Sequence, residues 1–376
     1  MIWLLITIFF LIFILTGLAL LNLFSAVRLE RFGNLKKELT RPSISVLIPV
    51  RNESENLKHL LPCFLNSEFK PNEIIIFDDQ SSDDSAQVAN SLLSSGNTEF
   101  KILSNPKWTS HSGLTGKNHG SQVLAEAAKS EILLFCDADM RFSSKAIGRS
   151  LSVMQYFQSS GITALPLQVA AHSSERLLLG LIVQLSIICT VPLRFAWRWP
   201  ISSVQVGNGQ WILIRKDHYL QAGGHKAMGS EILDDMTLAR TLVQKKIGSL
   251  LPVLAAKDLS VAMYKDWNSL VDGFAKNLIL LFGGNVFLFS LIFLVFNVLF
   301  LSPLWLLFFN FWAAGLALFL LLLLKNISQF LFSEKMNLLI DYFRSLFLLN
   351  DLVFRILWRR LRGESPKWKG RTLEQN

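Results

Sequence analysis

Apolar and polar positions divide this chain of 376 residues into stretches that cannot all sit in water. From Met1 to Val27 there is no charged side chain, and Ile2–Phe24 is long enough to cross a hydrocarbon core of about 30 Å. The run lacks a basic start and a small-residue cleavage site, so residues 1–27 read as an anchor rather than a removable signal. Leu278–Leu324 runs without one Asp, Glu, Lys or Arg, and Leu301-Ser302-Pro303 divides it near the middle. At about 1.5 Å per residue it is roughly twice a crossing, which predicts a transmembrane hairpin over 278–324. A third apolar run, Leu177–Leu193, is short and interrupted by Gln184, Ser186, Thr190 and Pro192, so an interfacial helix over 177–199 is expected. In the last segment, 325–376, Asn337–Trp358 mixes Asp341, Arg344, Asp351 and Arg355 with apolar positions, the pattern of an amphipathic surface helix.

Between Pro42 and about Val169 the period changes. Short β-branched runs at Ile44–Val50, Glu73–Phe77, Lys101–Leu103 and Glu131–Cys136 alternate with helical stretches at Glu53–Asn66, Asp83–Leu93 and Thr115–Lys129. Such alternation predicts an α/β domain, a mostly parallel sheet covered by helices, here over 42–277 with a basic linker at 28–41 before it. In these sheets ligands bind beyond the carboxyl ends of the strands.

Composition agrees with a chain partly outside water: 51% of residues are hydrophobic and only 17% charged. The net charge of +9 matters through its placement. Arg28, Arg31, Lys36, Lys37 and Arg41 follow the first apolar run, and Arg355, Arg359, Arg360, Arg362, Lys367, Lys369 and Arg371 crowd the C-terminus. The positive-inside rule puts both clusters, with everything between Arg28 and Lys276, in the cytoplasm of a plasma or inner membrane protein crossing three times. No nucleic-acid recognition motif accompanies the basic residues, so nucleic acid is not expected as a partner. Cys63, Cys136 and Cys189 show no metal or redox spacing and are expected to be reduced.

The strand ends carry the candidate chemistry. The first ends in Pro49-Val50-Arg51-Asn52-Glu53, the second in Asp78-Asp79-Gln80-Ser81-Ser82-Asp83, the fourth in Asp137-Ala138-Asp139. On an extended segment Asp137 and Asp139 point the same way, and two like charges so placed call for a cation between them. Asp83 is equally well read as a helix N-cap.

These three motifs in this order resemble the nucleotide-sugar half of family-2 inverting glycosyltransferases of the GT-A fold, over roughly residues 43–277. The resemblance implies that Asp79 binds the nucleotide base, with Pro49, Arg51 and Glu53 beside it. It also implies that Asp137 and Asp139 hold Mg²⁺ or Mn²⁺ against the diphosphate of a nucleotide-sugar donor, a hard cation suited to carboxylate and phosphate oxygen. Lys117, near the start of a helix and following Trp108 as in membrane-bound members, would add a second positive group. In Glu231-Ile232-Leu233-Asp234-Asp235 the family has Glu-Asp before a Leu-x-x-Arg helix; Asp235 maps to the catalytic base, and Asp234 replaces the usual Glu. Gln210 and Trp211 fall on a strand that borders the acceptor site in relatives, and Trp267 offers a face for the acceptor. His225, after two glycines, is expected to hydrogen-bond the backbone or a substrate oxygen rather than to catalyse.

Long-polysaccharide synthases carry Gln or Arg, two residues, then Arg-Trp, whereas this chain has Met263-Tyr264-Lys265-Asp266-Trp267. That departure argues against processive synthesis. Met263-Tyr264, Gly273-Phe274-Ala275-Lys276-Asn277 and Trp368-Lys369-Gly370-Arg371 resemble carotenoid and isoprenoid-lipid glycosyltransferases and, more distantly, ceramide glucosyltransferases. The implied activity is transfer of one hexose, glucose from UDP-glucose, to a membrane-lipid acceptor. A processive polysaccharide synthase, a polyprenyl-phosphate sugar transferase and a silent membrane scaffold stand as the alternatives.

Overall fold

Runs of Ile, Val and Leu with short polar breaks favour buried parallel strands, because both faces of such a strand meet helices. The computed structural model of the chain describes residues 2–33, 41–94, 96, 98–105, 114–188, 191–199, 201–229, 231, 233–279, 284–332, 338–364, 367–368 and 371–372. It contains two compact units. One comprises Ala26–Leu167 and Leu193–Ala262, the other Met1–Ser25, Gln168–Pro192 and Met263–Asn376. The sheet unit is therefore not the contiguous block 42–277 expected from the sequence: residues 168–192 and 263–277 group with the helices.

The sheet unit is built on eight strands: β1 (Val27–Arg28), β2 (Ile44–Val50), β3 (Glu73–Asp78), β4 (Glu99–Ser104), β5 (Ile132–Cys136), β6 (Gly161–Leu165), β7 (Trp211–Arg215) and β8 (Leu250–Leu254). Their spatial order is β1-β8-β6-β7-β5-β2-β3-β4. Pairing is parallel except where β7 runs against both β5 and β6, with Leu134 opposite Leu213 and Ile162 also opposite Leu213. From β2 the chain moves outward through β3 to β4, then returns to lay β5 on the other side of β2. That reversal opens a crevice at the carboxyl ends of β2 and β5, where open α/β sheets hold their ligands.

Helices Ser54–Leu65, Ser85–Leu93 and Gly116–Ala127 connect these strands. Beneath the crevice lies a core of Leu47, Ile75, Phe77, Leu124, Leu133, Phe135, Ile212, Ile214 and Leu238. Burying one such side chain contributes about 1.5–3 kcal/mol, so this cluster fixes the strand ends that carry the polar groups.

In the helical unit, Ile2–Ser25 and Phe311–Phe332 are the two helices, among the described residues, long and apolar enough to cross a membrane. The hairpin expectation needs correction. Its first helix, Val286–Phe300, has 15 residues, about 22 Å and short of a full crossing. Ser302–Leu306 follows as a separate turn of helix before Phe311. The pairing of Asn350 Nδ2 with Asn297 Oδ1 at 2.9 Å and of the Tyr342 hydroxyl with the Phe300 carbonyl at 2.5 Å ties helix Leu338–Leu361 to Val286–Phe300. Residues 177–199 do not form one interfacial helix either. An α-helix ends at Val183, a wider helical stretch runs Gln184–Ile188, and Leu193–Arg198 belongs to the sheet unit.

Candidate active site

The polar residues that follow β2 and β3 first hold one another. Asp83 accepts the Ser54 and Ser85 backbone N–H groups, both at 3.1 Å, and the Ser85 hydroxyl at 2.5 Å. It therefore serves the first turns of two helices from one position before Asp84, the N-cap residue of the second. Asn52 takes positive φ (53°) and its side-chain carbonyl accepts the Ser82 N–H at 2.7 Å. Arg51 donates to the Asp79 carbonyl at 2.6 Å and lies 3.9 Å from its carboxylate. Glu53 is buried, its carboxylate accepting from Asn56, whose own side-chain oxygen accepts from Arg141. Arg51 and Asp79 thus stand together beyond the ends of β2 and β3, and Glu53 is directed to Asn56.

The turn after β5 differs from the extended geometry expected. The strand stops at Cys136, and the Met140 N–H bonds the Asp137 carbonyl at 3.2 Å, closing a tight turn over Ala138 and Asp139. Asp137 and Asp139 are therefore related by a turn and not by strand alternation. The positive group beside Asp137 is Lys117, whose ammonium lies 3.0 Å from its Oδ1. Burial works against the charge on Lys117, but Asp137, Asp234 and Asp235 outweigh it and raise its pKa above the ordinary lysine value. No third His, Cys, Asp or Glu completes a cation site among the described residues. The Asp137 carboxylate in the crevice, with Asp139 two residues on in the same turn, fits a hard divalent ion that would draw its other oxygens from a donor diphosphate.

Asp234 and Asp235 open helix Asp234–Gln244 from the far side of the crevice. One oxygen of Asp235 accepts the Gly209 N–H and the other the Met236 N–H, each at 2.7 Å. The contact requires a bare backbone: a Cβ on Gly207 would stand 2.2 Å from the Asp235 carbonyl oxygen. The adjacent acids are driven apart in proton affinity. Burial raises the Asp235 pKa, and the negative charge of Asp234 raises it further against Lys117 and the two N–H donors. For Asp234 burial acts the same way, but Lys117 and His225 overcome it and hold the group below the usual carboxylate range. An ionised acid beside one of raised affinity is the arrangement that divides acid and base roles between neighbouring carboxyls.

A narrow crevice joins these groups; Pro49, Lys117, Asp137, Gly209, His225, Asp234 and Asp235 line it. The acceptor-side expectations fare differently. Trp211 is fully buried, donating to the Ser150 hydroxyl at 3.2 Å with its ring 5.1 Å from Phe142, so it is core and not an acceptor wall. Alternation explains the correction, since the strand's first residue points into the layer beneath. Gln210 is also buried, and its carbonyl accepts the Asp137 N–H at 3.2 Å, bracing the acid from behind. Trp267 begins helix Trp267–Asn277 in the helical unit, behind a capping box of Asp266 and Ser269. Trp108 lies outside the described residues.

Two supporting residues were missed. Asn118 donates from one buried amide to the Gly229 and Glu231 carbonyls at 2.9 and 3.0 Å, locking the Lys117 helix to the segment before Asp234. Tyr219 bonds His225 beneath the acids. Neither carried a sequence signal: the Asn118 partners lie 111 and 113 residues away, and the Tyr219–His225 bond depends on the turn through Gly223 and Gly224 between them.

Comparison with known proteins fits this geometry. Residues 45–169 match the model of glycosyl transferase family 2. The 4,4'-diaponeurosporenoate glycosyltransferase of Staphylococcus aureus (strain bovine RF122 / ET3-1) is 26% identical over 250 residues, covering 65% of this chain and 62% of the relative. The protein of that name from strain USA300 is 25% identical over the same shares. The chain thus spans less than two thirds of the length of these curated relatives. Among solved structures, a mannosyltransferase from Pyrobaculum calidifontis in complex with GDP-Man and Mn²⁺ is similar in fold, with a TM-score of 0.52 at 15% identity over 93% of this chain and 99% of that one. The strand-end motifs, the reversal in strand order and these matches point one way: residues 45–169 are similar to glycosyl transferase family 2, and the fold is GT-A.

Proposed function

We propose that the protein transfers a single hexose from a nucleotide-diphosphate sugar, UDP-glucose, to a lipid acceptor with inversion at the anomeric carbon. The observation that carries this reading is the placement of Asp235 in the same crevice as Lys117 and Asp137. A base, a positive group for a departing diphosphate and a metal-binding carboxylate are the parts an inverting transfer needs.

In this reading Asp235 takes the proton of the acceptor hydroxyl as that oxygen bonds the anomeric carbon, while the bond to the diphosphate breaks. Its raised proton affinity suits it to the task, and its two backbone N–H partners hold the carboxylate still. Lys117 faces the leaving side, where its ammonium offsets the charge released onto the diphosphate. Asp79 and Arg51, at the end of β3 and β2, serve the nucleotide. Asp137 and Asp139 would hold Mg²⁺ or Mn²⁺, and the ion would supply Lewis-acid stabilisation of the leaving diphosphate.

Two features support a lipid acceptor. Ile2–Ser25 and Phe311–Phe332 have the length and composition of membrane spans. The curated relatives named above are carotenoid-acid glycosyltransferases by name. The basic clusters favour a cytoplasmic sheet unit in this reading.

The test is a product assay on membranes containing the full chain, with Mg²⁺ or Mn²⁺, a panel of nucleotide sugars and mass spectrometry of extracted lipids. A lipid gaining one hexose mass from one donor is the expected outcome. A ladder of added sugars would replace this reading with a processive synthase. Release of the sugar by mild acid would replace it with polyprenyl-phosphate transfer.

A further inference from the structure

His225 is buried beside the crevice, with 5% of its surface exposed, and its two ring nitrogens face different partners. Nδ1 lies 2.8 Å from the Tyr219 hydroxyl, and Nε2 lies 3.5 Å from Asp234 Oδ2. The Tyr219 oxygen already accepts the His225 backbone N–H at 3.0 Å. Its own proton has two acceptors in reach, Gln122 Oε1 at 3.4 Å and Nδ1 at 2.8 Å; the shorter contact gives it to Nδ1, which places the ring proton on Nε2, aimed at Asp234. The Phe135 ring, 5.1 Å away between centroids, walls the imidazole on the strand side.

The backbone is shaped for this contact. Gly224 takes φ of +59°, and a Cβ there would stand 2.5 Å from Gln122 Oε1 and 3.1 Å from the Tyr219 ring. Only a residue without a side chain lets the segment turn tightly enough to bring His225 over Tyr219. Asp234, which faces His225, is the immediate neighbour of Asp235 in the first turn of their helix.

We infer that His225 is a positioning residue for the transfer step: braced by Tyr219, it holds the Asp234 carboxylate through Nε2–H, and Asp234 in turn orients the first helical turn that presents Asp235. This rests on the reading of Asp235 as the base. Loss of the contact lets Asp234 swing and disorders the base, without removing any group that binds the donor. The effect falls on turnover and leaves donor KM in place.

Two substitutions separate the contacts of the ring. The amide nitrogen of Gln sits as many bonds from Cβ as Nε2 does, and that of Asn as many as Nδ1. The full-length chain in membranes is assayed as His225→Gln, His225→Asn and Tyr219→Phe, together with His225→Gln and His225→Asn in an Asp234→Asn background. His225→Gln is expected to keep kcat within about threefold, while His225→Asn loses about tenfold or more with donor KM unchanged. Tyr219→Phe keeps the ring packing and is expected to lower kcat severalfold. In the Asp234→Asn background the difference between Gln and Asn at position 225 should vanish, because contacts acting in one chain are not additive. Equal kcat for Gln and Asn, or a difference that persists without Asp234, overturns the inference. A change confined to acceptor KM overturns it too and makes His225 an acceptor contact. Retained activity in Asp235→Asn would instead sink the base assignment, whatever position 225 shows.

Discussion

The two halves of the crevice are built by different means. On the side of β2 and β3, Asn52, Ser81, Ser82, Asp83 and Ser85 interlock through backbone and short side-chain bonds, each loop fastened to the one beside it. On the side of helix Asp234–Gln244, the decisive partners act by charge or a bare amide: Lys117, Gly209 and His225 meet the two acids from three separate segments. The first half is a bonded cradle in which the loss of one bond is expected to stay local. The second is an electrostatic balance in which each charge sets the state of the next, so one substitution there moves several groups at once.

That contrast can be broken most forcefully at the base. Asp235→Asn should lower transfer by about a hundredfold or more, the scale of lost general base catalysis, while calorimetry finds nucleotide-sugar binding nearly intact. Transfer above a tenth of the parent rate would remove Asp235 from the role. Asp139→Ala should cost about a hundredfold in metal-dependent turnover, since a lost Lewis acid is worth several kcal/mol; titration of Mn²⁺ against rate checks it.

Acidity sharpens the comparison without touching a ligand. Asp235 must be ionised to act, and its pKa is raised, so the rate should fall on acidification at a pH above the ordinary carboxylate range. Asp234→Asn removes the neighbouring negative charge that raises it, so the acid limb of the kcat profile should move to lower pH. A limb that stays in place would show that burial alone sets the affinity of the base.

Smaller effects concern the scaffold. Gly207→Ala forces a methyl against the Asp235 carbonyl and should destabilise by about 1–3 kcal/mol, read as a lower Tm with reduced turnover. Asp83→Ala should cost about 1–2 kcal/mol through two helix starts, with donor affinity little changed. A large loss of donor affinity in Asp83→Ala would mean that the cradle is less rigid than its bonding suggests.

Legibility followed the same divide. Strands β2, β3 and β5 were readable from β-branched runs, and Arg51, Asp79 and Asp137 were readable as strand-end groups because position along a parallel strand fixes position at the crevice. The antiparallel β7 was not, since nothing local in Trp211–Arg215 states its direction. Trp211 was assigned to the acceptor side, where a short strand's facing depends on which residue starts it, and it proved to be core. Asp137 was expected to share a cation with Asp139 along an extended segment, whereas a turn separates them and Lys117 stands beside the first.

By itself the sequence determined the alternating α/β order, the apolar helices at both ends and the acidic strand ends, because hydrophobic period and turn chemistry act over a few residues. Only the tertiary structure decided which charges meet. The pairing of Lys117 with Asp137 and the grip of Gly209 on Asp235 arise when distant segments pack, the contacts among Tyr219, His225 and Asp234 arise from the turns between neighbouring segments, and the proton affinities of the acids are properties of that packing.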